Sequence, residues 1–154
     1  MEDWLLTAAE DADRARSEWN VSGIALLRCG GVLAAIRLPA ALVWCAAETE
    51  MLREVDDFLR QAVAGPVVMD LHSLQYYALV PERVLQWFPA RDFPGAACLD
   101  RGDYLGVPDV GRTVPRDRSY WCVPMDSPGV LCSVETVEEV ARKGRARMVE
   151  GVCR

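Results

Sequence analysis

The chain has 154 residues, 51% of them hydrophobic and 26% charged, with 17 Lys and Arg against 23 Asp and Glu for a net charge of −6. That composition excludes extended disorder and fits one globular domain, long enough to bury about two-thirds of its unfolded surface. The acidic balance disfavours indiscriminate binding to nucleic acid or anionic membrane.

Residues 1–20 predict an N-terminal helix, because Trp4, Leu5, Ala8, Ala12, Ala15 and Trp19 recur at three- and four-residue spacing. Asn20 is placed to end it. Val21 to Arg28 and Val32 to Leu38 read as strands flanking a Cys29-Gly30-Gly31 turn, which predicts a β-hairpin with Arg37 turned from the core or at an edge. The longest apolar run, Val32 to Ala47, is interrupted by Arg37 and Pro39, so it is no membrane span. Pro39 opens a long helical period reaching Ala64, and Gly65-Pro66 stops it. A second hairpin follows, Val67 to Asp70 and Gln75 to Val80, turning through His72 and Ser73. Pro81 begins a short helix through Trp87. Strands are predicted at Ala96 to Leu99, Tyr104 to Val107, Ser119 to Val123 and Val130 to Cys132. Ser133 is the N-cap of a last helix over 133–150, acidic at its start and basic at its end, an order that suits the helix dipole.

These elements describe a single α+β domain over 1–154, with a core at 21–132. The sheet is mainly antiparallel, built of two hairpins plus C-terminal strands and covered by helices. Glu2 and Asp3 stand where a secretory signal carries positive charge, so the expected location is cytoplasmic, with no membrane association. The six cysteines (29, 45, 98, 122, 132 and 153) form no CxxC pair. All but Cys153 sit among apolar neighbours and read as small core residues, with Cys122 and Cys132 placed to meet across a hairpin. Trp4, Trp19, Trp44 and Trp87 fit helical core positions; as interface anchors for a partner they fit equally well.

The segment RGDYLGVP, a Pro/Arg loop and SYWCVP together resemble part of the N-terminal domain of bifunctional DNA primase/polymerases (prim-pol). There a turn with Arg and Gly leads into a strand ending in prolines and then an aromatic strand. LQYYALVP and VLAAIRLP are similar to two further strands of that family, and the whole looks like the reduced form found in short actinobacterial proteins. The resemblance implies a prim-pol, RRM-like sheet. It also places the family's two metal-binding aspartates at Ile36 and Leu38, and its histidine near Leu74 or Gln75. None of these ligates a metal, and nucleotidyl transfer needs paired carboxylates to hold its divalent ions. A catalytically degenerate scaffold is therefore expected.

Asp70 and His72 form the best local constellation for chemistry, an Asp-x-His pair at a strand end. As an Asx-type turn they need no catalytic role. As part of a metal-dependent nucleotidyl- or phosphoryl-transfer site they need a third ligand from Asp100, Asp103 or Asp109. No P-loop, dinucleotide fingerprint or nucleophile elbow is present, and no cofactor or metal is implied. The remaining chemistry is binding. Arg101, Arg112, Arg116 and Arg118, with Tyr104 and Tyr120, offer a surface for a phosphate, an acidic partner or single-stranded nucleic acid. Neutralisation of those arginines by Asp103, Asp109 and Asp117 is the plainer reading. The sequence favours a non-catalytic binding or regulatory module with a protein partner; its oligomeric state is open.

Overall fold

The computed structural model describes residues 1–116 and 118–153. The predicted first helix is two: α1 (Glu2–Leu6) and α2 (Ala12–Ser22). The break has a local cause. Asp11 caps α2, its carboxylate accepting the Arg14 N–H at 3.1 Å, and Gly23 ends that helix in the left-handed region at φ 78°. The long helix after Pro39 is also two, α3 (Ala40–Ala47) and α4 (Leu52–Val63). Thr49 is the reason: its hydroxyl accepts the Met51 N–H at 3.1 Å and donates to Glu54 at 2.6 Å, much as a capping box does.

Strands β1 (Ile24–Arg28) and β2 (Ala34–Pro39) do not form the expected hairpin. Between them come Gly30 and Gly31, both at positive φ, and the chain steps from one sheet into another. β1 pairs antiparallel with β6 (Tyr104–Pro108), Leu26 lying opposite Gly106, in a two-stranded ribbon. The second predicted hairpin is present as β3 (Val67–Asp70) and β4 (Gln75–Val80). With β5 (Ala97–Leu99) and β7 (Ser119–Val123) they make a five-stranded antiparallel sheet, ordered β5-β2-β4-β3-β7. Among the described residues Val130 to Cys132 is no strand; the Cys132 N–H bonds to the Leu79 carbonyl at 2.8 Å outside any ladder. The last helix, α5 (Val134–Val149), begins where expected, with Ser133 accepting the Thr136 N–H.

The five-stranded sheet is buried on both faces, so its strands read as continuous apolar runs rather than alternating ones. One core takes Ile36, Leu38, Met69, Tyr76, Tyr120 and Cys122 from the sheet, packed against α3, α4 and α5. The other takes Ala35, Val68, Leu79 and Trp121, packed against α1, α2 and the ribbon. The molecule is thus α+β as expected, but with two sheets and helices on both sides. Gly144 lets α5 lie on α3: a Cβ there would stand 2.2 Å from the Leu42 carbonyl oxygen. Arg147 donates to the Cys45 carbonyl at 3.1 Å and to that of Ala46, closing the end of α3. Cys45 is disulfide-bonded to Cys153 rather than a free core thiol, whereas Cys122 and Cys132 are free, their thiols donating to the Val67 and Pro66 carbonyls. Trp19, Trp44 and Trp121 are anchored through their indole N–H groups, but Trp87 is 67% exposed and not a core residue. Among the described residues no helix is long and apolar enough to cross a membrane.

Candidate functional site

Two turn-defined segments meet at one end of the central sheet. Directly opposed residues of an antiparallel pair share a face. Ser119 lies opposite Asp70, and Asp70 opposite Gln75; one step in, Val68 lies opposite Tyr77, and Tyr77 opposite Arg37. These side chains therefore form two adjoining rows on the face that carries the α1, α2 and ribbon core. Further in, that face is apolar through Val68, Leu79 and Trp121. At this end it is polar and opens into a cleft of about 520 Å³ lined by Asp70, Tyr77, Arg118 and Ser119 from the sheet side. Ile24, Leu26, Tyr104 and Gly106 line it from the ribbon, and Glu18 and Ser22 from α2.

The loop that carries the arginines is held by its backbone. The Asp109 N–H bonds to Gly23, Trp121 to the Arg112 carbonyl, and Leu71 to the Arg118 carbonyl at 2.8 Å. Arg112 also lines the cleft, its guanidinium against Gly23, where a Cβ would fall 2.0 Å from Nη2. Glycine at 23 thus both ends α2 and makes room for that side chain.

The polar inventory of this end is incomplete. Among the described residues four buried side-chain polar atoms lack a hydrogen-bond partner, and three of them belong to the two rows: Ser119 Oγ, Arg37 Nε and Gln75 Oε1. Ser119 is only 4% exposed yet lines the cleft. A buried hydroxyl without a partner costs about 1–3 kcal/mol. Tyr77 shows the same environment: burial pushes its hydroxyl up, the Asp70 charge adds to the rise, and Arg37 opposes it.

The sequence-predicted site residues divide. Tyr104, Arg112, Arg118 and Asp70 come together in the cleft. Tyr104 is 43% exposed, its hydroxyl donating to Glu10 and held up by that bond. Tyr120 does not join them: it is fully buried on the opposite face, donating to both Asp56 carboxylate oxygens at 3.0 and 3.1 Å. Arg101 is elsewhere too, its Nε 3.1 Å from Glu82, whose other oxygen accepts the Gly31 N–H. Arg116 lies on the exposed loop and is not among the cleft residues, and Asp117 lies outside the described residues.

Asp70 and His72 form the Asx turn. Oδ1 accepts the His72 and Ser73 N–H groups at 2.9 and 3.4 Å, and Oδ2 accepts the Ser73 hydroxyl at 2.8 Å. The Asp103 carboxylate accepts the Asp100 N–H while the Asp103 N–H bonds to the Asp100 carbonyl, and Asp109 accepts the Gly111 N–H. Among the described residues no three His, Cys, Asp or Glu side chains gather as a metal-ligand set.

A larger cleft, about 770 Å³, lies beside the Cys45–Cys153 disulfide. Arg147, Glu48 and Thr49, which line it, already have partners. Arg147 caps α3 and pairs with Glu48 at 3.2 Å, and Thr49 bonds to Glu54. Ser119 and Tyr77 also line the cleft, though nothing in the sequence marks them as site residues; Arg37 and Gln75 stand in the same rows of the sheet without lining it.

Compared with protein-family models, curated proteins and solved structures, the chain matches none.

Proposed function

We propose that this chain is a non-catalytic binding module on a reduced prim-pol-like scaffold, and that its ligand enters the cleft at the polar end of the central sheet. The observation that carries this reading is Ser119, which lines a 520 Å³ cavity together with Arg118 and whose buried Oγ has no hydrogen-bond partner. Cavities of this size suit small ligands or a side chain of a partner.

The non-catalytic part rests on what the equivalent positions do instead. Ile36 and Leu38, where the resemblance puts metal-binding aspartates, pack in the α3, α4 and α5 core. Asp70 uses its oxygens to hold its own turn. A protein or small acid is favoured over a polynucleotide as partner, because Arg101 and Arg116 do not extend the positive surface from the cleft and the net charge is −6.

An amide-resolved NMR fragment screen on the full chain tests the reading. Shifts should cluster on Ile24, Tyr104, Gly106 and Ser119. Shifts gathered instead around Trp44, Glu48 and Cys153 would contradict it. A low-salt titration with single-stranded DNA should show no saturable binding.

A further inference from the structure

We infer that the cleft takes a carboxylate carried beside an apolar or aromatic group, with the carboxylate at Arg118 and Ser119 Oγ and the apolar part against Ile24, Leu26 and Tyr104. This rests on the binding-module reading and adds the class of ligand.

Two of the cleft's residues, Ser119 and Arg118, carry hydrogen-bond donors. Ser119 Oγ is buried without a partner, and Ser119 lines the same cleft as the exposed Arg118. A guanidinium beside an unpartnered hydroxyl suits an oxyanion. The charge around them sets its valence. Glu18 and Asp70 line the same cleft as Arg118, so a dianion or polyphosphate meets more repulsion there than a singly charged group does.

The opposite wall is of another kind. Leu26 is 51% exposed although it stands in a strand, Gly106 facing it presents bare backbone, and Ile24 and Tyr104 complete an apolar shelf. One end binds charge and the other binds hydrocarbon. A small amphipathic acid and the C-terminal residue of a partner protein both offer that combination.

The test is an amide-resolved titration of the full chain with benzoate and with acetyl-Ala-Leu bearing a free carboxylate. Benzamide, the dipeptide amide and inorganic phosphate serve as comparisons. The acids should shift Ser119, Tyr104 and Gly106, at least tenfold more tightly than their amides, and the better of the two identifies the source. Arg118→Gln, at an exposed position, should weaken the acids at least tenfold without altering the unfolding midpoint, and Ser119→Ala should act in the same direction. Amides binding in the cleft as well as the acids, or phosphate binding there more tightly, would overturn the carboxylate class and leave the cleft reading standing. Shifts confined to other surfaces would overturn both, and no shift with any probe would overturn the inference.

Discussion

Asp56 is an acid on the buried side of α4, 7% exposed, with the Tyr120 hydroxyl as its hydrogen-bond donor. Burial pushes its carboxyl up to about 6 from 3.8, more than the Tyr120 bond and the Arg60 charge lower it. The folded state therefore holds this proton more tightly than the unfolded chain. Its contribution to stability is complete below about pH 4, falls as pH rises through about 6, and is gone above that. Two units correspond to about 3 kcal/mol, an upper figure for one group. Asp56→Asn keeps an acceptor for Tyr120 and removes the titration. Urea unfolding from pH 4 to 8 should show the variant gaining on the parent by on the order of 2–3 kcal/mol across that window; parallel profiles would contradict the assignment. Tyr120→Phe leaves the carboxylate without its donor and should cost about 1–3 kcal/mol at neutral pH.

At the scale of elements, the crossing of α3 and α5 depends on the missing side chain at Gly144. In an isolated helix, Gly→Ala gains up to about 1 kcal/mol. Here the added Cβ would meet the Leu42 carbonyl at 2.2 Å, so the helices must separate. Gly144→Ala should lower the thermal midpoint, with a net cost of about 1–3 kcal/mol from the displaced packing. An unchanged or higher midpoint would mean the two helices adjust freely. The elements also show what a sequence reveals. Strand β4, its hairpin with β3, and α5 were legible, because Asp70 to Leu74 make a local turn and Ser133 a local cap. The breaks at Asp11 and Thr49 were not, because apolar spacing continues across them while the caps act through side-chain bonds.

For the whole molecule, pairing at long range decided what could be read. β1 adjoins β2 in sequence across two glycines, yet pairs with β6, residues about eighty positions further on, because Ala25 and Leu27 pack onto the central sheet's face. Nothing local records that choice. Likewise Ser119 to Val123 is buried throughout, so alternation could not tell that Tyr120 points to one core and Ser119 to the cleft. Arg118, Arg112, Tyr104 and Asp70 were visible as chemistry before their common address was.

The Cys45–Cys153 disulfide closes a loop of 108 residues between α3 and the tail beyond α5. Closing so long a loop stabilises a chain by up to about 4–5 kcal/mol through the unfolded state. A thiol reductant, or Cys153→Ser, should therefore lower the denaturant midpoint in the same measure, and an identical midpoint in both redox states would count against the clasp.

The cleft between the ribbon and the polar end of the sheet is where the proposed ligand binds. The most direct measurement is the amide titration of the full chain with benzoate and benzamide, repeated on Arg118→Gln. It should show Ser119, Tyr104 and Gly106 shifting with the acid, at least tenfold weaker binding of the amide, and loss of the response in the variant. Shifts that fall only outside the cleft, unchanged by the substitution, would contradict it.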